Sequence, residues 1–277
     1  MTVRQHLKSA RDKLAELSSG RLEAEVLLAH CLGSPRSLLY ADPDLEVPNQ
    51  RSELFQQLVE RRLSGEPIAY LTGSREFWSL SLKVTPDVLI PRPETELLVE
   101  LALKRIPRDG RWRIADLGTG SGAVALALAS ERRGCRVFGT DTSQAAIDLA
   151  GENAQRLAIE NVSFTLGSWC KPLTGRFNLI ISNPPYVARN DPHLSKGDCR
   201  FEPLRALSPG EDSLAALRSI ASESMGHLAP GGWLMLEHGP DQGEAVRGIL
   251  REREYTDIFT ERNLLGHERV TGGRMNS

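Results

Sequence analysis

Residues 113–122 constrain this chain more tightly than any other stretch. Ile114, Ala115 and Leu117 make a short apolar run that ends in Gly118-Thr119-Gly120-Ser121-Gly122, with Asp116 leading the glycines. A buried strand that turns at once into a helix needs glycine for unusual backbone angles and for close approach of a ligand to the main chain. The spacing is G-x-G-x-G, not the G-x-G-x-x-G of dinucleotide-binding turns. The start of the helix behind it offers N–H groups suited to a carboxylate.

The texture around this run is alternating strand and helix from about residue 86 onward. Strands are predicted over residues 113–117, 136–140, 162–166, 177–182 and 233–237, with closing strands over 255–259 and 269–273. Helices are predicted over 122–130, 143–157 (Ser143 as N-cap), 212–228 and 241–251. Such alternation implies a mostly parallel sheet covered by helices on both faces, with ligands bound beyond the carboxyl ends of its strands. The first 70 or so residues read differently. Leu7, Ala10, Leu14 and Leu17 step by three or four, as do Leu22, Val26, Leu27 and His30. A third helix is predicted over 49–63, with Leu54, Leu58 and Val59 on its apolar face. Gly33-Ser34-Pro35 and Asp42-Pro43-Asp44 are turn signals between these helices. Between the two regions, Trp78, Leu80, Leu82 and Val84 alternate with Ser79, Ser81 and Lys83, which is strand periodicity and predicts a β-hairpin or edge ribbon.

With 277 residues, 40% of them hydrophobic, the chain is long enough for a substantial core. Its formal charge of -2 argues against a protein whose main affinity comes from neutralising phosphates. Cys31, Cys135, Cys170 and Cys199 are too scattered for a zinc site, and reduced thiols in a cytoplasmic protein are expected. The N-terminal residues lack the apolar core of a signal peptide. The densest apolar stretch, residues 123–129, is too short to span a bilayer.

Two further groups carry candidate chemistry. Asp141 ends the second strand, where a carboxylate can accept both hydroxyls of a ribose. One glycine loop with one ribose acid fits a mononucleoside such as S-adenosylmethionine. Trp169 follows the next strand, placed either to flank an adenine or to fill the core. Asn183-Pro184-Pro185-Tyr186 ends the apolar run 177–182. Two prolines remove two backbone donors, so the main chain there only accepts. The Pro184 carbonyl and the Asn183 side-chain carbonyl make two acceptors for the two hydrogens of an NH2 group, and the Tyr186 face can stack on the planar group attached to it. Methyl transfer from a sulfonium needs orientation and fixed acceptors rather than a metal. No convincing general base is visible. In Pro91-Arg92-Pro93-Glu94-Thr95-Glu96 a capping role is expected ahead of a catalytic one, although the segment can also wall the pocket. His238 is expected to be structural. Arg200-Phe201-Glu202-Pro203 is either a substrate-facing or a solvated loop.

Assembled, these residues make the chain resemble the peptide-chain release factor glutamine methyltransferases, the PrmC/HemK family. The resemblance covers nearly the full length. It includes Gly65-Glu66-Pro67-Ile68-Ala69-Tyr70-Leu71-Thr72-Gly73, Arg75-Glu76-Phe77-Trp78, Ile90-Pro91-Arg92-Pro93-Glu94-Thr95-Glu96, the glycine loop, Asn183 to Tyr186, and Arg200 to Pro203. It implies a Rossmann-like, seven-stranded class I methyltransferase domain over residues 86–277 whose last strand is antiparallel. A small helical domain over 1–73, expected to help dock substrate, and a β-hairpin linker over 74–85 precede it. It implies methyl transfer from S-adenosylmethionine to the side-chain nitrogen of the glutamine in the Gly-Gly-Gln motif of class I release factors. Gly118, Thr119, Gly120, Ser121, Gly122, Asp141 and Trp169 would contact the cofactor. Asn183 would contact cofactor and glutamine, with Pro184, Pro185 and Tyr186 completing the clamp and Asn183, Pro184 and Tyr186 serving catalysis. A monomer without metal, membrane or direct nucleic-acid partner is expected. Ser168 departs from close relatives, which often carry an acid before the tryptophan. The main alternative is an amino-methyltransferase acting on adenine in DNA or RNA, where the same clamp would hold a flipped base. A non-catalytic S-adenosylmethionine-binding scaffold and an oxidoreductase have less support.

Overall fold

The computed structural model describes residues 1–17 and 19–276 and divides the chain into two compact units, Met1–Ser74 and Arg75–Ser277. The first unit is helical: α1 (Val3–Lys13), α2 (Gly20–Leu32), α3 (Ser37–Ala41), α4 (Asn49–Leu63) and α5 (Ile68–Thr72). Thr2 and Gln5 form a reciprocal cap at the start of α1. Val3, Leu7, Ala10 and Leu14 pack with Leu27, Leu28, Phe55 and Leu58 in one buried cluster. The α3 and α5 helices, at five residues each, are too short to show a period in the sequence. Glu25 is buried in this unit and accepts hydrogen bonds from Arg11, Arg21, Arg36 and the Tyr40 hydroxyl. Burial alone would raise its pKa, but these donors outweigh it and hold the carboxyl at about 2.

A hairpin of β1 (Ser74–Phe77) and β2 (Leu80–Lys83) follows. The alternating stretch over 77–84 is therefore not one strand but spans the hairpin turn. Trp78 and Ser79 form a two-residue turn with φ of 51° and 59°. A two-residue turn preserves the alternating pattern, and without Gly, Asn or Asp it gives no local signal. Asn153, fully buried, holds the hairpin in place. Its carbonyl accepts from Lys83 N (2.7 Å), and its NH2 donates to Lys83 O and Ser121 O (both 3.0 Å). The half-exposed Lys83–Glu152 ion pair beside it adds little by comparison, roughly 0–1 kcal/mol.

Then follow α6 (Glu96–Arg105), β3 (Arg113–Leu117), α7 (Ala123–Glu131), β4 (Arg136–Asp141), α8 (Gln144–Arg156), β5 (Val162–Leu166) and β6 (Phe177–Ser182). After an irregular stretch containing the single-turn α9 (Leu204–Leu207) come α10 (Ala215–Met225), β7 (Leu228–Glu237), α11 (Gly243–Glu252), β8 (Thr256–Arg262) and β9 (Glu268–Arg274). Seven strands form one sheet in the order β5-β4-β3-β6-β7-β9-β8. Pairing is parallel from β5 to β7, and β9 runs antiparallel to both β7 and β8.

Both faces of the central strands are covered, which is why those strands read as apolar runs rather than alternations. Ile114, Leu179, Ile181 and Met235 face one core cluster, and Ala115, Leu117, Ile180, Leu234 and Leu236 face the other. The α7 helix is buried on every side from Ala123 to Ala129. Two predicted spans change. The helix expected over 212–228 shortens to α10 because Asp212 starts a turn, its carboxylate accepting from Leu214 N. The strand expected over 233–237 extends back to Leu228. Its Ala229-Pro230-Gly231-Gly232 imitates a turn in sequence, but Leu228 still pairs with Phe177 across a bulge.

Gly122 caps α7 at φ +83°, and a Cβ there would lie 3.1–3.2 Å from Leu126, Ala150 and Phe164. Gly122→Ala is therefore expected to destabilise the protein by about 2 kcal/mol or more. Gly151, in α8, has open space around its would-be Cβ, and Gly151→Ala is expected to stabilise by up to roughly 1 kcal/mol. Thermal melts of the two variants should move in opposite directions.

Candidate active site

Three strands end at one level. Leu117 pairs with Thr140 on one side and with Ser182 on the other. Gly118, Asp141 and Asn183 therefore leave the sheet side by side, although 65 residues separate the first from the last. The buried Ser182 hydroxyl donates to Leu117 O (2.6 Å) and ties two of these ends together.

A cavity of about 180 Å³ opens above them. Gly118, Gly120, Asp141, Ser168, Trp169, Asn183 and Pro185 line it. Asp141 braces the site as well as facing it. One carboxylate oxygen accepts from Gly120 N (3.0 Å) and the other from Ser143 N (2.9 Å). Gly118 N and Thr119 N both donate to Thr140 O, so these two loop amides serve the fold rather than a ligand. Thr119 and Ser121 are buried and turn away from the cavity. The Thr119 hydroxyl donates to Asp116, and the Ser121 carbonyl accepts from Asn153. Asp116 also accepts from Ala125 N, fastening the loop to α7. Burial raises the Asp116 pKa to about 6, with the nearby Asp141 charge adding to the rise.

Trp169 both lines the cavity and packs against the core cluster beneath. Its ring lies within van der Waals reach of Gly118, 3.4 Å from where a Cβ would lie. Its backbone is held at φ 44°, with its carbonyl accepting from the Thr140 hydroxyl (2.9 Å).

The Asn-Pro-Pro-Tyr segment follows β6. Asn183 Nδ2 donates to Thr95 Oγ1 (3.0 Å), which fixes the amide orientation and leaves Oδ1 as the outward acceptor. Pro184 is buried, while Tyr186 is half-buried with its hydroxyl donating inward to Glu237 Oε1 (3.3 Å). Glu237 ends β7 and is itself buried. Burial pushes its pKa up to about 7, against opposing contributions from the Thr95 hydroxyl, Arg269 and the Tyr186 hydroxyl.

Several of these residues carried no signal of their own in the sequence. Thr95 and Glu237 meet Asn183 and Tyr186 only through the fold. Glu202 is buried and accepts from Ile90 N (3.0 Å) and from Arg92, so the Arg200–Pro203 stretch fastens the Pro-Arg-Pro segment. Arg205, on α9, lines the cavity and donates to Asp87 O and to the Ser143 hydroxyl. His238 is buried with Nδ1 against Gly239 O and Nε2 against the Thr271 hydroxyl, and burial lowers its pKa. A neutral, structural histidine results. Burial raises the Cys31 and Cys170 thiols to about 11, so neither is a ready nucleophile. Among the described residues no helix is long and apolar enough to cross a membrane.

Residues 5–73 match the PrmC N-terminal domain model, and residues 94–197 match the methyltransferase small domain model. The chain is 52% identical to the release factor glutamine methyltransferase of Vibrio cholerae, over 99% of this chain and 97% of that one. It is 46% identical to the protein of the same name from Escherichia coli, over 99% of each. Among solved structures, the T. thermophilus 16S rRNA N2 G1207 methyltransferase in complex with AdoMet and guanosine shares the fold. Its TM-score is 0.56 at 19% identity, over 73% of this chain and 50% of that chain. With such identity along nearly its whole length and both family models matched in order, the chain belongs to the release factor glutamine methyltransferases.

Proposed function

We propose that this chain transfers a methyl group from S-adenosylmethionine to the side-chain amide nitrogen of the glutamine in the Gly-Gly-Gln motif of class I release factors. The product is N5-methylglutamine. The observation that carries the reading is the adjacency of a nucleoside-sized cavity and an outward-facing Asn183 Oδ1 at the same sheet edge. The names of the relatives at 45–52% identity support the substrate. Action in the cytoplasm, where release factors work, is part of the same proposal.

The residues present suit the cofactor. Asp141 offers a carboxylate at the cavity wall, Trp169 an aromatic face, and Gly118 and Gly120 a wall without side chains. S-Adenosylmethionine, when bound, supplies an electrophilic methyl on a sulfonium. Asn183 Oδ1 and the Pro184 carbonyl accept the two amide hydrogens of the glutamine and aim its nitrogen. Pro185 removes a competing donor, and Tyr186 stacks on the amide plane. The nitrogen gains positive character as its new bond forms, and two fixed carbonyl dipoles stabilise that charge without rearranging. The substrate nitrogen then loses a proton to water.

Purified protein incubated with labelled S-adenosylmethionine, a release factor and unmethylated DNA is expected to place one methyl on the Gly-Gly-Gln glutamine. Label on DNA with the release factor untouched would favour the base-methylating alternative. Asn183→Ala is expected to lower transfer by about 10²–10³-fold while the melt changes little. Full activity in that variant would sink the clamp. Asp141→Ala should weaken S-adenosylmethionine binding at least about tenfold, read by calorimetry, and an unchanged affinity would remove the ribose role.

A further inference from the structure

Glu237 is the buried acid that the mechanism above leaves without a task. Its carboxyl sits at the end of β7, behind the clamp rather than within it. The Tyr186 hydroxyl donates to Oε1, while Oε2 is buried with no hydrogen-bond partner. The Thr95 hydroxyl lies close enough to favour the charged form of this carboxyl, and the same Thr95 oxygen accepts from Asn183 Nδ2. One hydroxyl therefore stands between Glu237 and the amide that faces the substrate.

A hydroxyl has a single proton. If Thr95 gives it to Glu237, its lone pairs are left for Asn183 Nδ2, and Asn183 Oδ1 must point outward. If Glu237 carries a proton, it becomes a donor to the Thr95 oxygen, and the Thr95 proton, displaced from the carboxyl, turns toward the Asn183 amide. The Asn183 amide then meets a donor, which favours the rotated form with Oδ1 turned to Thr95 and Nδ2 placed where the clamp needs an acceptor. The inference rests on the clamp role given to Asn183 above. We propose that Glu237 is a positioning residue: ionised, it orients Thr95 and through it Asn183 for the incoming amide, and protonated, it releases that orientation.

The surroundings place this switch near neutrality. Burial raises the carboxyl, and the Glu94 charge from the turn before α6 adds to the rise. Arg269 on β9 and the hydroxyls of Thr95 and Tyr186 oppose it, leaving the value at about 7. Arg92 and Arg269 also act on Tyr186, whose own pKa burial pushes above the ordinary tyrosine range, so that phenol stays a donor throughout. Burial lowers the pKa of His238, next in the chain, which favours its neutral form. The sign is fixed by the raised value. In the folded protein the proton stays on Glu237 up to about pH 7, so the orienting form fills as pH rises through that value.

The test is the pH profile of methyl transfer to a purified release factor at saturating S-adenosylmethionine. Wild type should fall about tenfold per pH unit below a half-point near 7. Glu237→Gln removes the titration, so its half-point should move to 6 or below, where Asp116 beneath the glycine loop titrates. The loss at pH 8 should fall on kcat rather than on KM for S-adenosylmethionine. Thr95→Val should abolish the same limb and Thr95→Ser should keep it, which separates proton-dependent orientation from damage to the fold. The same half-point in wild type and Glu237→Gln, or a limb that survives Thr95→Val, would overturn the proposal with the enzyme still active. A wild-type protein that leaves the glutamine unmethylated would overturn the functional reading, and this inference with it.

Discussion

Everything the site does depends on the register of β3 between its two parallel neighbours. Because Leu117 lies opposite both Thr140 and Ser182, the glycine loop, the acid of β4 and the amide after β6 emerge together. A shift of one residue in either pairing would turn alternate side chains to the other face of the sheet. Both faces here are filled with buried apolar side chains. The packing of the core therefore sets where the chemistry sits, and the Ser182 and Asp141 hydrogen bonds trim the alignment locally.

Much of this was legible in the sequence. Parallel strands buried on both faces must be apolar throughout, so β3, β4 and β6 stood out with nearly correct ends. Glycines and prolines also announce themselves, because few other residues meet the backbone demands at Gly122 or remove the donors at Pro184 and Pro185. The partners of Asn153, Thr95, Glu202 and Glu237 were not legible. Each acts on groups tens of residues away in the chain, which no local period or turn signal can name. The hairpin turn at Trp78 and Ser79 was hidden for a different reason. Its positive backbone angles are carried by residues that seldom adopt them, so nothing in composition marks it.

The same division separates the roles of the acids. Asp141, whose place at a strand end was evident, accepts from two backbone amides while it faces the cavity. Asp116 and Glu237 are enclosed instead, and burial raises both. Asp116 spends its oxygens on Thr119 and the first turn of α7, which is a bracing task. Glu237 leaves one oxygen unpaired next to a hydroxyl chain that reaches the clamp. Spacing in the sequence cannot distinguish these two acids, because the difference lies in what surrounds them.

The placement of β9 has a consequence for how the molecule assembles. Of all the strands it comes last in the chain, yet in the sheet it lies between β7 and β8. Until residues 268–274 are available, β7 and β8 have no bond to each other, and each presents an unpaired edge. Sheet closure is thus a late event that joins distant parts of the chain, the kind of step that slows folding and exposes sticky intermediates. Removing that segment would open a gap inside the sheet, leaving β8 detached from the rest rather than merely shortening the sheet at its border.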